Sequence, residues 1–166
     1  MAAGATYEPI ATTTLSSAAA NINFFSIAAS WTDLRLVLSF SLAAADFVLY
    51  SIQSGSPIIS STRLQGNGTT ATSSRILSET FVYPSNVNIA INSQALFTTD
   101  IFSYSGSTYK TALTTISADT NGSGYTASAV SLMQTTAAIN QLNIITNQGS
   151  NFNIGTTATL YGIKAA

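Results

Sequence analysis

Leu34-Arg-Leu-Val-Leu-Ser-Phe-Ser-Leu42 is the stretch that decides the fold. Leu34, Leu36, Leu38, Phe40 and Leu42 fall on one face, and Arg35, Ser39 and Ser41 on the other, with Val37 the exception. Successive side chains of an extended chain point to opposite faces, so this period of two describes a strand half-buried against a core. Val87, Ile89 and Ile91 against Asn88, Ala90 and Asn92 repeat the pattern. Val130 with Leu132, Leu142 with Ile144, and Thr159, Tyr161 and Ile163 follow it more weakly.

Turn signals separate these runs: Gln53-Ser-Gly-Ser-Pro57, Gly66-Asn-Gly68, Pro84-Ser-Asn86, Ser105-Gly-Ser107, Asn121-Gly-Ser-Gly124 and Asn147-Gln-Gly149. Asn and Gly accept positive φ at low cost and favour the tight turns that join antiparallel strands. Ser16 to Ala20 and Thr135 to Gln141 offer no apolar stripe long enough to dock a helix. About ten short strands without helical connections predict an all-β protein, an antiparallel β-sandwich that is jelly-roll-like. At 166 residues, and with no linker to divide it, the chain is expected to form one domain over residues 1–166.

Composition narrows the function. The chain has no His and no Cys, and only 7% of its residues are charged, against roughly a quarter in an ordinary soluble domain. Arg35, Arg63, Arg75, Lys110 and Lys164 are scattered, so the basic cluster that phosphate neutralisation requires is missing and no nucleic-acid partner is expected. The most apolar segment, Leu34 to Ile52, is interrupted by Arg35 and Asp46. Tyr125 to Ile163 has no charge, but its Asn and Gln residues are costly in hydrocarbon. A soluble protein is expected, with no membrane partner, and the opening Met-Ala-Ala-Gly lacks the basic region of a secretory signal.

Familiar catalytic chemistry finds few residues to use. Without imidazole no Ser or Thr hydroxyl has its usual base; a Ser-Lys arrangement on Lys110 or Lys164 would require a desolvated ammonium. A glycosidase pair would come from Glu8, Asp33, Asp46, Glu79, Asp100 and Asp119, which show no clustering along the chain. Asp119-Thr-Asn121-Gly has the flavour of a calcium loop, yet no further carboxylate follows, and an Asx turn explains it better. Asn67-Gly-Thr69 and Asn121-Gly-Ser123 fit the glycosylation triplet, which arises readily in so Asn- and Thr-rich a chain. Neither enzyme activity, nor a cofactor, nor a metal is expected. Trp31, Tyr50, Tyr83, Tyr104, Tyr109 and Tyr125 lie at or near expected loop edges. They are the candidate contact residues, for a subunit interface first and for stacking on a sugar second.

Four strings carry a resemblance: Tyr7-Glu-Pro-Ile-Ala-Thr-Thr-Thr-Leu15, Thr62-Arg-Leu-Gln-Gly-Asn-Gly68, Asp100-Ile-Phe-Ser-Tyr-Ser-Gly-Ser-Thr-Tyr-Lys-Thr111 and Gly155-Thr-Thr-Ala-Thr-Leu-Tyr-Gly-Ile-Lys-Ala165. With them nearly the whole chain resembles small structural proteins of tailed bacteriophages, cyanophages among them. It departs from that pattern at Ala43-Ala-Ala-Asp46, where an Asn-Gly-Asp type turn is usual, and near Leu132-Met133, where a Trp-Arg pair is usual. The resemblance implies no catalytic residues. It implies a virion protein, and the single domain, missing catalytic groups, low charge and polar uncharged strands able to pair with neighbours narrow the expectation to a non-enzymatic capsid decoration or cement protein on the outer surface of the particle, a homotrimer bound to the major capsid protein or other virion proteins. Its alternative is a tail-fibre or baseplate component that binds host surface glycans. Met1 to Ile10 and Leu160 to Ala166 are the expected contact arms.

Overall fold

The computed structural model describes residues 6–52, 57–119 and 122–164, and among them the chain forms eleven strands and no helix. These are β1 (Tyr7–Thr14), β2 (Asn21–Phe24), β3 (Asp33–Phe40), β4 (Val48–Ile52), β5 (Ile58–Gly66), β6 (Ala71–Glu79), β7 (Ala95–Phe102), β8 (Lys110–Asp119), β9 (Gly124–Gln134), β10 (Leu142–Thr146) and β11 (Thr157–Ile163). Eight of them build a large sheet in the order β1-β11-β3-β7-β8-β9-β5-β6, and three a small one in the order β2-β10-β4. Neighbours are antiparallel throughout. The all-β antiparallel sandwich expected from the alternation is what forms, with unequal layers.

The core lies between the layers. Leu34, Leu36, Leu38 and Phe40 of β3 are buried and share one apolar cluster with Ile22, Tyr50, Leu142 and Ile144 of the small sheet. Phe40 meets Phe152 edge-on at 5.8 Å, and Tyr50 meets Phe97 at 5.9 Å, the T-shaped arrangement that aromatic quadrupoles favour. Burying the Tyr50 hydroxyl is tolerable because it lies 3.0 Å from Thr99 Oγ1, itself 2.8 Å from Thr114 Oγ1, which ties β4 to β7 and β8.

Two sequence expectations are corrected. Val87 to Ile91 is no strand: Ile89 makes one isolated bridge to Asp46, and Ile91 is exposed. The Val87 amide instead donates to Ser85 Oγ, and Asn92 adopts a left-handed φ of 58°. Such local side-chain bonds compete with a ladder. Nor are the described parts of the expected contact arms free: residues 7–10 and 160–163 are paired strands of the large sheet, while residues 1–5 and 165–166 lie outside the described residues.

In β9 and β11 the apolar alternation points the other way from β3. Val130 and Leu132 face outward, whereas Ala127, Ala129, Ser131 and Met133 face the core. Tyr161 and Ile163 likewise face away from buried Ala158, Leu160 and Gly162. Gly162 shows why small residues face inward there: a Cβ on it would come within 2.2 Å of the Trp31 ring. The Gly66-Asn-Gly68 turn joins β5 to β6 as expected, with Asn67 Oδ1 accepting the Thr69 and Thr70 amides and Gly68 at φ 85°. The Gln53 to Pro57 turn falls mostly, and Asn121 wholly, outside the described residues.

Candidate interaction surface

The six aromatic residues singled out by sequence do not form a rim. Tyr50 and Tyr104 are fully buried, and Tyr125 is buried on the inner face of β9, where desolvation pushes its hydroxyl up to about 12. Tyr104 donates to the Ala28 carbonyl and accepts the Trp31 amide, closing one end of the core. Trp31 covers Gly162 and carries the Lys164 ammonium 4.7 Å from its ring centre. Tyr83 is half-buried with its ring 6.5 Å from Phe47, and Tyr109 alone of the six is exposed. Physical chemistry explains the pattern, because Tyr and Trp pack an apolar body inside while the polar tip finds a partner.

The charged candidates have structural partners. The buried Asp46 carboxylate accepts the amides of Phe47, Gln148 and Ser150, pinning the turn before β4 to the loop after β10. Lys110 is buried, its ammonium donating to the carbonyls of Gly106, Thr108 and Thr135, which occupy all three of its donors, and burial lowers its pKa. Asp33 accepts the Ser103 amide. Asp100 forms a bidentate pair with Arg35, and its hydrogen bonds raise the guanidinium pKa. Glu8 and Glu79 stand on β1 and β6, the two opposite edges of the large sheet. Among the described residues no three His, Cys, Asp or Glu gather as a metal site.

The outward face of the large sheet is a continuous surface. Following the register, Pro9, Tyr161, Arg35, Asp100, Leu113, Val130, Thr62 and Arg75 form one transverse row. Thr12, Thr159, Val37, Thr98, Thr115, Ser128, Leu64 and Ser73 form the next, and this row accommodates the outward Val37 of the founding strand. A third runs through Thr14, Thr157, Ser39, Leu96, Ser117 and Thr126. The charges in these rows are Arg75 and the mutually neutralised Arg35 and Asp100. Leu64, Leu96, Leu113, Val130 and Leu132 are 37–63% exposed on it. Thr12 bonds Thr159 at 3.1 Å and Thr98 bonds Thr115 at 2.6 Å, so part of the hydroxyl content is occupied within the face itself.

With strands about 4.8 Å apart and two residues spanning about 7 Å along a strand, the three rows cover roughly 35 by 20 Å. That is about 700 Å², close to the roughly 800 Å² each partner contributes to a standard protein interface. A depression of about 820 Å³ lies at the end of the sheet, between the β5–β6 and β8–β9 turns, and adjoins one of about 460 Å³ beside β5, β6 and β9; the two share Gly66 and Thr126.

The two edges of the large sheet differ. Pro9 and the irregular register at Pro9/Ala11 blunt β1. On β6 the irregularity sits at its end, opposite Ile59/Ser61, where Ser78 adopts φ 60°, and Ala71–Ile76 leaves a regular free edge with Arg75 its one charge. Sequence reading missed the exposed cluster at the other end of the face. There the rings of Tyr7 and Tyr161 lie 5.0 Å apart and the Arg35 guanidinium stands 5.8 Å from the Tyr7 ring. The weak alternation of Thr159, Tyr161 and Ile163 was the available signal, but periodicity does not say which side is wet.

No protein-family model matches the chain, and no curated protein matches it.

Proposed function

We propose that this chain is a non-enzymatic structural protein of a tailed-phage particle, a decoration or cement protein that joins copies of itself and the capsid surface through the outward face of the large sheet. The observation that carries this reading is that Leu64, Leu96, Leu113, Val130 and Leu132 are all exposed on one face with almost no net charge. Exposed apolar side chains gathered on one face mark contact surfaces. Burial contributes roughly 25 cal/mol per Å² of apolar area, and many identical weak contacts add up over a shell. The free edge of β6 gives lateral neighbours a second means of attachment. The test adds purified chain to phage heads lacking it: binding with a rise in the temperature at which the heads rupture supports the reading, and absence of both overturns it.

Tyr7 and Tyr161 favour a second reading, a glycan-binding component of a tail fibre or baseplate. An exposed ring beside Arg35 and Asp100 offers a stacking surface with hydrogen-bonding groups at its side. Binding to a glycan array that Tyr7→Ala abolishes supports it; a blank array counts against it.

A further inference from the structure

Three charged side chains are buried among the described residues, and two of them are fully served. Asp46 is held by backbone amides and Lys110 by backbone carbonyls. Arg63, on the inner face of β5, is the exception. It is 5% exposed, its Nε donates to Ser74 Oγ at 2.8 Å, and its Nη1 is buried with no partner. Ser74 is a neutral acceptor, so the full positive charge has no counter-charge. The salt bridge among the described residues is that of Arg35 and Asp100 on the other face of the sheet. Glu79 acts on Tyr83, and burial alone lowers the Arg63 pKa.

Two more unserved polar atoms lie on the same face. Gln65 follows Arg63 by two residues on β5, and its Oε1 is buried without a partner, while its Nε2 donates to Asn86. Tyr125 lies one position beyond the Gly66–Thr126 pair on β9, and its hydroxyl faces Ser85 without closing a hydrogen bond of normal geometry. An acceptor and a donor of this kind are commonly served by a buried water. A guanidinium differs, because it only donates and stays charged at any ordinary pH, so water leaves its charge uncompensated. Burial of an uncompensated charge is among the most costly arrangements a fold can contain.

We propose that a small monovalent inorganic anion, of chloride size, binds at the unpartnered Nη1 of Arg63 on the inner face of β5. The anion supplies the charge that the chain's own acids do not bring there. A ligand that binds only the folded state raises its stability by mass action.

The test measures thermal unfolding at constant ionic strength while chloride replaces gluconate, which is too bulky to enter. The wild-type Tm is expected to rise by roughly 5–11 °C when chloride reaches a hundred times its dissociation constant. Arg63→Met is expected to show no chloride response, and Arg63→Lys, which keeps the charge, a weakened one. A crystal grown in bromide is expected to show an anomalous peak within hydrogen-bond reach of Arg63, a readout that needs no variant. Equal wild-type Tm in chloride and gluconate, or a water in place of the bromide peak, overturns the proposal.

Discussion

Leu113 and Val130 stand directly opposite each other across β8 and β9 on the outward side of the large sheet, 44% and 49% exposed. Neither supports the core, since the inner positions beside them, Ala112, Thr114, Ala129 and Ser131, are buried without them. Leu113→Asp with Val130→Asp is therefore expected to cost roughly 2 kcal/mol of stability, from β-propensity and like-charge pairing alone, and to leave the fold intact. The same change places two like charges side by side in the middle of the face and is expected to abolish self-association and shell binding. Urea unfolding read beside sedimentation velocity separates the two effects.

Gly162 lies against the Trp31 ring with no room for a Cβ. Gly162→Ala is expected to destabilise by roughly 1–3 kcal/mol, the usual cost of overpacking. Trp31→Ala should recover part of that loss in the double variant, since it empties the space the methyl enters. Thermal unfolding of the two single variants and the double variant closes the cycle.

Asp46 joins two loops that are distant in sequence through its bonds to Gln148 and Ser150. Asp46→Ala leaves those amides unpaired and is expected to cost roughly 3 kcal/mol, given about 1.5–3 kcal/mol for a hydrogen bond to a charged group. Amide hydrogen exchange should accelerate at Gln148 and Ser150 first, whereas uniform acceleration along the chain would contradict the local role.

Burial raises the Tyr125 hydroxyl from 10.0 to about 12. The folded state thus binds the proton more tightly than the unfolded chain, and the stability from this group is intact below pH 10 and lost as pH rises through about 12. The difference corresponds to about 3 kcal/mol. Burial raises Tyr50 and Tyr104 in the same direction. Urea unfolding is expected to show stability falling across that alkaline window, with a shallower fall in Tyr125→Phe.

Much of the architecture was legible in the sequence because alternation in β3 and the Asn67-Gly68 turn are local properties. The sidedness of β9 and β11 was not. Period two is the same whether Val130 and Leu132 or Ala129 and Ser131 face the core, and only the partner layer decides. The aromatic residues were misplaced for a related reason: a Tyr near a turn looks like a loop edge, while Tyr50 and Tyr104 sit where buried oxygens accept or share their hydroxyl protons. The inference at Arg63 was out of reach of sequence, since an isolated Arg beside polar neighbours gives no sign of burial.

The chain contains no cysteine, so a single introduced thiol reports its own position. Leu113→Cys on the outward face and Tyr109→Cys on the exposed β7–β8 connection can each be labelled in free protein and in protein bound to phage heads. The account predicts that both react in the free protein and that binding protects Leu113→Cys while Tyr109→Cys stays reactive. Equal reactivity of the two thiols in the bound state would contradict it.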